Sequence, residues 1–327
     1  MRAVVAREAG GPEVLDFIDL ADPQPGAGEL LVRVAAAGVN FIDTYRRAGV
    51  YKIAFPHTVG SEGAGEVVGL GAGVTGFEVG DLVSWDNAPG SYAELALVPA
   101  GNAIRLPDGM DLHTAAALPL QGMTAHYLVR STFEVGPGHD VLLHAGAGGV
   151  GLLATQLAVA HGARVITTVG SPEKAELSRQ AGASEVIDYS TFTDLATQLP
   201  AAVKDLTGGE GVHVVYDGVG KSTFDASLAS LRRRGMLVLF GGASGQVPPF
   251  EIQRLNSGGS LFLTRPTLAH YTATRDELAW RMAELLTAVA DGSLRVRIGA
   301  TFPLAQAAEA HRALEGRATT GKVLLVP

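Results

Sequence analysis

The stretch His144-Ala-Gly-Ala-Gly-Gly-Val-Gly-Leu152 constrains the fold more than any other part of the chain. It follows an apolar run, Val141-Leu142-Leu143, and precedes Leu152–Ala160, which reads as a buried helix stopped by Gly162. Gly146, Gly148 and Gly151 fit G-x-G-x-x-G, with Gly149 and Val150 between them. A turn without side chains, set between a strand and a helix, brings backbone N–H groups and a helix N-terminus up to a pyrophosphate. Glycine is abundant here, so the pattern by itself would be weak. The strand before it and the helix after it predict a dinucleotide site.

The surrounding chain agrees. From Asp140 to about Leu263, strands alternate with helices. Candidate strands are Val141–His144, Arg164–Val169, Glu185–Asp188, Val212–Asp217, Leu237–Phe240 and Ser260–Thr264. Such alternation predicts an α/β fold with a doubly wound parallel sheet. Residues 1–120 read differently. Short apolar runs such as Leu30-Leu31-Val32-Arg33-Val34 alternate with Gly, Pro and Asp turns, which predicts a mainly β, partly open barrel. After Pro266 come an amphipathic helix (Asp276–Val289), a strand, a helix (Leu304–Leu314) and a last strand (Lys322–Val326). These are too few for a third domain and are expected to rejoin the first. The triplet Arg232-Arg233-Arg234 reads as a solvated helix end beside Gly235.

Bulk properties exclude several function classes. The chain has 327 residues, 47% hydrophobic and 18% charged, as expected of two globular domains. A net charge of −8 argues against a general nucleic-acid binder. With no cysteine, disulfides, cysteine-based zinc sites, iron–sulfur clusters and a thiolate nucleophile are ruled out. The first residues lack a long apolar core, and no run reaches the length of a membrane span, so a soluble cytoplasmic protein is expected.

The nucleotide is read from the second strand of the α/β region. An NAD site usually carries an acidic residue at that strand's tip. Here the tip is Gly170-Ser171, followed by Pro172-Glu173-Lys174. Ser171 can cap the next helix, and a helix start with a nearby lysine suits a phosphate better than an acid-bound diol. NADP(H) is therefore expected over NAD(H), with Tyr189 a candidate neighbour of the phosphate or adenine.

Several stretches together resemble a known family. They are Gly10–Leu15, Gly38-Val39-Asn40-Phe41-Ile42-Asp43-Thr44-Tyr45, Gly60–Gly65, Gly80–Val83, Ala147–Gly151, Val215–Gly220 and Arg317-Ala318-Thr319. Over its whole length the chain resembles the zinc-free quinone oxidoreductases of the medium-chain dehydrogenase/reductase superfamily, the NADPH:quinone reductase and ζ-crystallin type. The resemblance implies a GroES-like catalytic domain over 1–122, completed by 265–327, and a Rossmann domain over 123–264. It implies hydride transfer from NADPH to a quinone, and a homodimer formed through the sheet edge near Ser260–Thr264. Zinc-dependent relatives carry Gly-His-Glu where this chain has Gly60-Ser61-Glu62, so a ligand is missing. A quinone is already electrophilic and needs no metal to accept hydride.

The resemblance also implies site residues. Asn40, Asp43, Tyr45 and Tyr51 would line the nicotinamide end, with Asn40 bonded to the nicotinamide ribose or the substrate oxygen and the tyrosines walling the quinone. Asn40 would equally serve as the cap of a helix over Phe41–Arg47. Thr124 and Tyr127 would touch the nicotinamide mononucleotide half. Gly170, Ser171, Lys174 and Tyr189 would form the 2′-phosphate and adenosine pocket. Phe240, Gly241 and Ser244 would face the nicotinamide, and Arg317 would close over the cofactor. No metal ligand set is expected, and the histidines at 57, 113, 126, 144 and 161 read as structural or exposed. Two alternatives stay open: NADPH-dependent reduction of α,β-unsaturated ketones or aldehydes, and a low-turnover NADPH-binding protein of crystallin or RNA-binding type.

Overall fold

The computed structural model describes residues 1–327. The chain forms two compact units, one of residues 1–123, 274–289 and 296–327, the other of 124–273 and 290–295. Residues 265–273 and 290–295, assigned from the sequence to the first unit, thus belong with the second. No helix is long and apolar enough to cross a membrane.

The first unit opens with β1 (Arg2–Ala6), β2 (Leu15–Asp19), β3 (Glu29–Val39), α1 (Phe41–Arg47), β4 (His57–Thr58), β5 (Glu62–Leu70), β6 (Leu82–Trp85), β7 (Leu95–Pro99) and β8 (Ile104–Arg105). Then come α2 (Leu112–Ala117), capped by the Asp111 carboxylate, and α3 (Pro119–Tyr127). The second unit carries β9 (Asp140–Leu143), α4 (Gly149–Ala160), β10 (Arg164–Val169), α5 (Pro172–Gln180), β11 (Glu185–Asp188), α6 (Leu195–Leu206), β12 (Val212–Asp217), α7 (Phe224–Ala229), β13 (Leu231–Leu239), α8 (Gln253–Ser257) and β14 (Phe262–Thr264). The chain ends with α9 (Arg275–Ala290), β15 (Ile298–Pro303), α10 (Ala307–Glu315) and β16 (Lys322–Val326).

In the first unit a mixed sheet runs β15-β16-β3-β5-β6-β8, with β7 also paired to β3, beside a three-stranded sheet β2-β1-β4. Between Val34 and Ala36, β3 sets two residues against one of β5. Such a bulge swaps the faces that later residues present. Leu30, Val32 and Val34 pack with Trp85, Tyr92 and Val98, whereas Ala36 packs with Ala64, Leu324 and the alanines of α2. By alternation Gly38 and Asn40 then fall on the α2 side.

The second unit is a six-stranded, all-parallel sheet in the order β11-β10-β9-β12-β13-β14. Numbered from β9, this is the 3-2-1-4-5-6 order of a doubly wound dinucleotide fold, with the reversal at β9. Its strands are near-continuous apolar runs because helices cover both faces. Two local expectations change. The arginine triplet lies inside β13, because Ser230 already closes α7 and the β12–β13 register shifts there, with Arg234 in the left-handed region at φ 59°. β14 begins only at Phe262, since Ser260 is also left-handed at φ 58°. A 3-10 turn, Leu304–Gln306, precedes α10 after Pro303.

Candidate functional site

In the second unit the carboxyl end of β9 runs directly into the glycine turn. Gly146 donates to Thr168 O at 3.0 Å, and Gly148 donates to Ala145 O at 2.8 Å. Built on the backbone, a Cβ at Gly146 would lie 2.6 Å from Thr167 Cβ, and one at Gly151 2.2 Å from Ala145 O. These two glycines are required by packing within the protein. At Gly148 a Cβ would meet nothing closer than 3.2 Å. That contact, with the Ala145 carbonyl, is tight but milder than the other two, and directly after it Gly149, Val150 and Gly151 begin α4 with first-turn N–H groups that have no helical acceptor.

A buried polar chain fixes the neighbouring strand ends. His144, fully buried, bonds Thr168 Oγ1 and Ser227 Oγ, each at 2.9 Å. Burial lowers its pKa, against the opposing charge of Asp217, so the imidazole is neutral. Ser227 donates to Asp217 Oδ2 at 2.7 Å. Asp217 Oδ1 accepts the N–H groups of Val219 and Gly220 at 2.8 and 2.9 Å, which pins the loop after β12. Thr223 Oγ1 also donates to Asp217 Oδ2 at 2.7 Å, and the sequence singles out none of Asp217, Thr223 and Ser227. Their spacing has no motif, and only the stretch ending in Gly218-Val219-Gly220 marked the place.

The expected phosphate residues gather at the tips of β10 and β11. Ser171 caps α5, its Oγ accepting from Lys174 N at 3.3 Å. Tyr189 forms a 3-10 turn after β11, and its hydroxyl would be 3.2 Å from a Cβ at Gly170. Negative charge also reaches this corner. Exposed Glu173 is held below the usual carboxylate range by its own backbone N–H and by Ser171. Asp188 accepts from Ser190 N. Lys174 follows Glu173 in the first turn of α5. After β13, the Phe240 ring lies on Gly218, and a Cβ at Gly241 would be 2.4 Å from Gly218 O. Ser244 donates to Val219 O at 2.8 Å and accepts from Ser222 N at 3.0 Å. Thr124 and Tyr127 are buried on α3, where Tyr127 stacks on Tyr271 with centroids 4.4 Å apart. Arg317, in the first unit, is exposed and left-handed at φ 57° just beyond α10.

The first unit brings Asn40, Asp43, Tyr45 and Tyr51 together around α1. Asp43 completes half of a capping box, its Oδ2 accepting Asn40 N at 3.0 Å. The same carboxylate accepts from Tyr92 Oη and Ser61 Oγ, each at 3.0 Å, and Arg46 donates to Ser61 Oγ at 2.9 Å. Burial pushes Asp43 up to about 6, with the Arg46 charge and these hydrogen bonds opposing. Behind it, His311 Nδ1 meets Arg47 at 2.9 Å and Nε2 meets Tyr92 Oη at 3.2 Å. An arginine can only donate, so Nδ1 accepts and Nε2 carries the proton. Tyr45 and Tyr51 form an aromatic wall with Phe41, centroids 6.1 Å (Phe41–Tyr45) and 6.3 Å (Tyr45–Tyr51) apart, and Tyr51 is 45% exposed.

The Asn40 amide is turned away from the helix. Its Nδ2 donates to Glu62 Oε2 at 2.7 Å and to Gly38 O at 3.3 Å, and its Oδ1 accepts from Lys322 Nζ at 2.9 Å. Glu62 and Lys322 are themselves ion-paired and fully buried. Sequence had marked Glu62 only within a motif and Lys322 only as the first residue of the last strand. No three His, Cys, Asp or Glu side chains are grouped so as to hold a metal ion.

Known proteins share this architecture. The family described as "Alcohol dehydrogenase GroES-like domain" matches residues 26–108, and the one described as "Zinc-binding dehydrogenase" matches residues 149–287. A quinone oxidoreductase of Pseudomonas aeruginosa is 47% identical, with 97% of each chain covered. A 2-haloacrylate reductase of a Burkholderia species is 42% identical over 99% of this chain and 98% of its own. A mycobacterial protein solved in complex with NADPH superimposes over the full length of both chains with a TM-score of 0.97 and 51% identity.

Proposed function

The chain belongs to the quinone oxidoreductases of the medium-chain dehydrogenase/reductase superfamily, and from that premise we propose that it reduces quinones with NADPH, without zinc. It is an NADPH-dependent oxidoreductase. The observation that carries the reading is the Gly146–Gly151 turn, which joins the end of β9 to the start of α4 and which even at Gly148 leaves a Cβ only 3.2 Å from the Ala145 carbonyl, so that the turn carries no side chain at its glycines. A bare turn at a helix start fits a pyrophosphate. The acid-free tip at Gly170-Ser171, with Lys174, fits the additional phosphate. Bound NADPH supplies the hydride, and a proton from solvent completes the hydroquinone.

The remaining work falls to the chain's own groups. Gly148, Gly149, Val150 and Gly151 receive the diphosphate, and Ser171, Lys174 and Tyr189 the 2′-phosphate and adenosine. Thr124, Tyr127, Phe240, Gly241, Ser244 and Arg317 are assigned to the nicotinamide half. Tyr45 and Tyr51 wall the acceptor, and Asp43 holds the start of α1. Zinc independence is supported by local charge. Ser61, which stands at the missing ligand position, is bonded to the Arg46 guanidinium, and Lys322 lies against neighbouring Glu62, so cations of the chain already occupy this corner.

The 42% identical 2-haloacrylate reductase favours a second reading, reduction of a conjugated carbon–carbon double bond. One assay separates the two. The purified protein is mixed with NADPH, and loss of the reduced nicotinamide absorbance is followed with 1,4-benzoquinone, 9,10-phenanthrenequinone or 2-chloroacrylate. Turnover with the quinones is expected, and turnover with 2-chloroacrylate alone would move the assignment to the second reading.

We further propose a homodimer through β14. This strand is one of the two edges of the parallel sheet, and Phe262 on it is 55% exposed. An unpaired apolar edge is a template for another copy. Light scattering should give twice the chain mass, and a Phe262→Lys variant should give the monomer.

A further inference from the structure

We propose that Glu62 and Lys322 are positioning residues that hold the Asn40 amide in one orientation, so that it can accept a hydrogen bond from a ligand but not donate one. This rests on the NADPH-dependent reading above.

The orientation follows from the partners' chemistry. An ammonium has only donors, so Lys322 Nζ must face Oδ1 of Asn40. An ionised carboxylate has only acceptors, so Glu62 Oε2 must face Nδ2. Both N–H bonds of Nδ2 are then spent, one on Glu62 at 2.7 Å and one on Gly38 O at 3.3 Å. Of the two lone pairs on Oδ1, one receives Lys322 and one stays open. A hydroxyl of the cofactor's ribose can fill that lone pair. A quinone carbonyl, which has no hydrogen to give, cannot.

The scaffold is built around the pair. Glu62 stands on β5 opposite Gly38, and Lys322 begins β16, which pairs the other side of β3. A Cβ at Gly38 would lie 2.1 Å from Glu62 Oε2 and 2.7 Å from Lys322 Cε, so the glycine makes the room. Glu62 Oε1 accepts Leu120 N at 2.7 Å, near the start of α3. Two buried charges cost more desolvation than a pair of apolar side chains of equal size, so mere support does not explain them.

The test is a mutant cycle read by calorimetry with NADPH. Removing Lys322 alone would strand a buried carboxylate, so the variant is Glu62→Gln with Lys322→Met, which removes both charges and keeps an acceptor for Leu120. With the glutamine oxygen on Leu120 N, its NH2 group meets Asn40 as a donor, so nothing holds the Asn40 amide in its parent orientation. The double variant's Kd for NADPH should rise about tenfold, the cost of one hydrogen bond, as should that of Asn40→Ala. Asn40→Ala added to the double variant should cost nothing further. In the Asn40→Ala protein the KM for 1,4-benzoquinone should stay as in the parent. Should the double variant not fold, Glu62→Asp draws the carboxylate back by one methylene with its charge intact, and should lose affinity in part. Additive losses, or a benzoquinone KM that rises while NADPH affinity holds, would overturn the proposal while leaving the function standing. A parent protein that binds no NADPH would overturn both.

Discussion

Gly148 and Gly151 lie three residues apart in one turn, yet a methyl group costs different things at each. At Gly151 it would press on the carbonyl of Ala145 at 2.2 Å, where backbone cannot yield. Gly151→Ala should lower the unfolding free energy by about 3 kcal/mol, the upper range for overpacking. At Gly148 the same carbonyl is 3.2 Å away and need yield only a few tenths of an ångström, so Gly148→Ala should cost clearly less stability than Gly151→Ala. It should nevertheless lose NADPH affinity, because the methyl occupies the surface offered to the diphosphate. Denaturant melts and calorimetry on both variants decide this, and equal affinity in parent and Gly148→Ala would contradict the assignment. Lys174 carries the matching expectation for the second phosphate. Lys174→Ala should weaken NADPH about tenfold and leave NADH unchanged, since only the phosphorylated nucleotide presents the extra charge. Parallel titrations with the two nucleotides check it, and equal losses would assign Lys174 to a part that both nucleotides share and not to the 2′-phosphate.

At the scale of elements, the end of α10 joins stability to function with opposite signs. The residue that follows Gly316 takes a left-handed conformation, which glycine adopts freely, but the chain places Arg317 there at φ 57°. A side chain in that region costs about 1 kcal/mol. Arg317→Gly should therefore relieve that backbone strain while weakening NADPH binding, if the guanidinium serves the cofactor. A variant that keeps full affinity would remove Arg317 from the site. Much at this scale could be read from sequence. β11, β12 and β16 begin and end where apolar runs meet Gly, Pro, Ser or Asp, β10 ends at Gly170, and α1 starts after its cap Asn40. β13 could not, because its lead-in is bent by a register shift and by Arg234, and neither leaves a local pattern. The glycine turn and the aromatic wall of α1 were legible for the same reason, being contiguous. The Glu62–Lys322 pair was not. Its members come from strands on either side of β3, and Lys322 at the head of Lys322-Val-Leu-Leu-Val looks like an ordinary strand end.

Across the whole molecule, buried titratable groups set how stability responds to acid, and two linked ones oppose each other. Asp43 rises from 3.8 to about 6 because burial disfavours its charge. Its folded pKa is above the unfolded one, so its contribution to stability is present below about pH 4 and lost as pH rises through 6. His311 falls from 6.5 to about 3, through burial first and then the charge of Arg47. Its folded pKa is depressed, so its contribution is present above 6.5 and lost as pH falls toward 3. Between pH 6 and 4 the two slopes have opposite signs and similar size, on the order of 3 kcal/mol each over the window. Their contributions cancel only while both groups titrate. His311→Gln keeps an acceptor toward Arg47 and a donor toward Tyr92 but cannot be protonated in this range. At pH 7 it should cost little. As pH falls below 6.5 it should gain on the parent by about 1.4 kcal/mol per pH unit. Denaturant unfolding of both proteins at pH 7, 6, 5 and 4.5 measures the difference directly. A gap that stays constant across that series would mean that His311 keeps a similar pKa folded and unfolded, and that the acid response of the fold lies elsewhere.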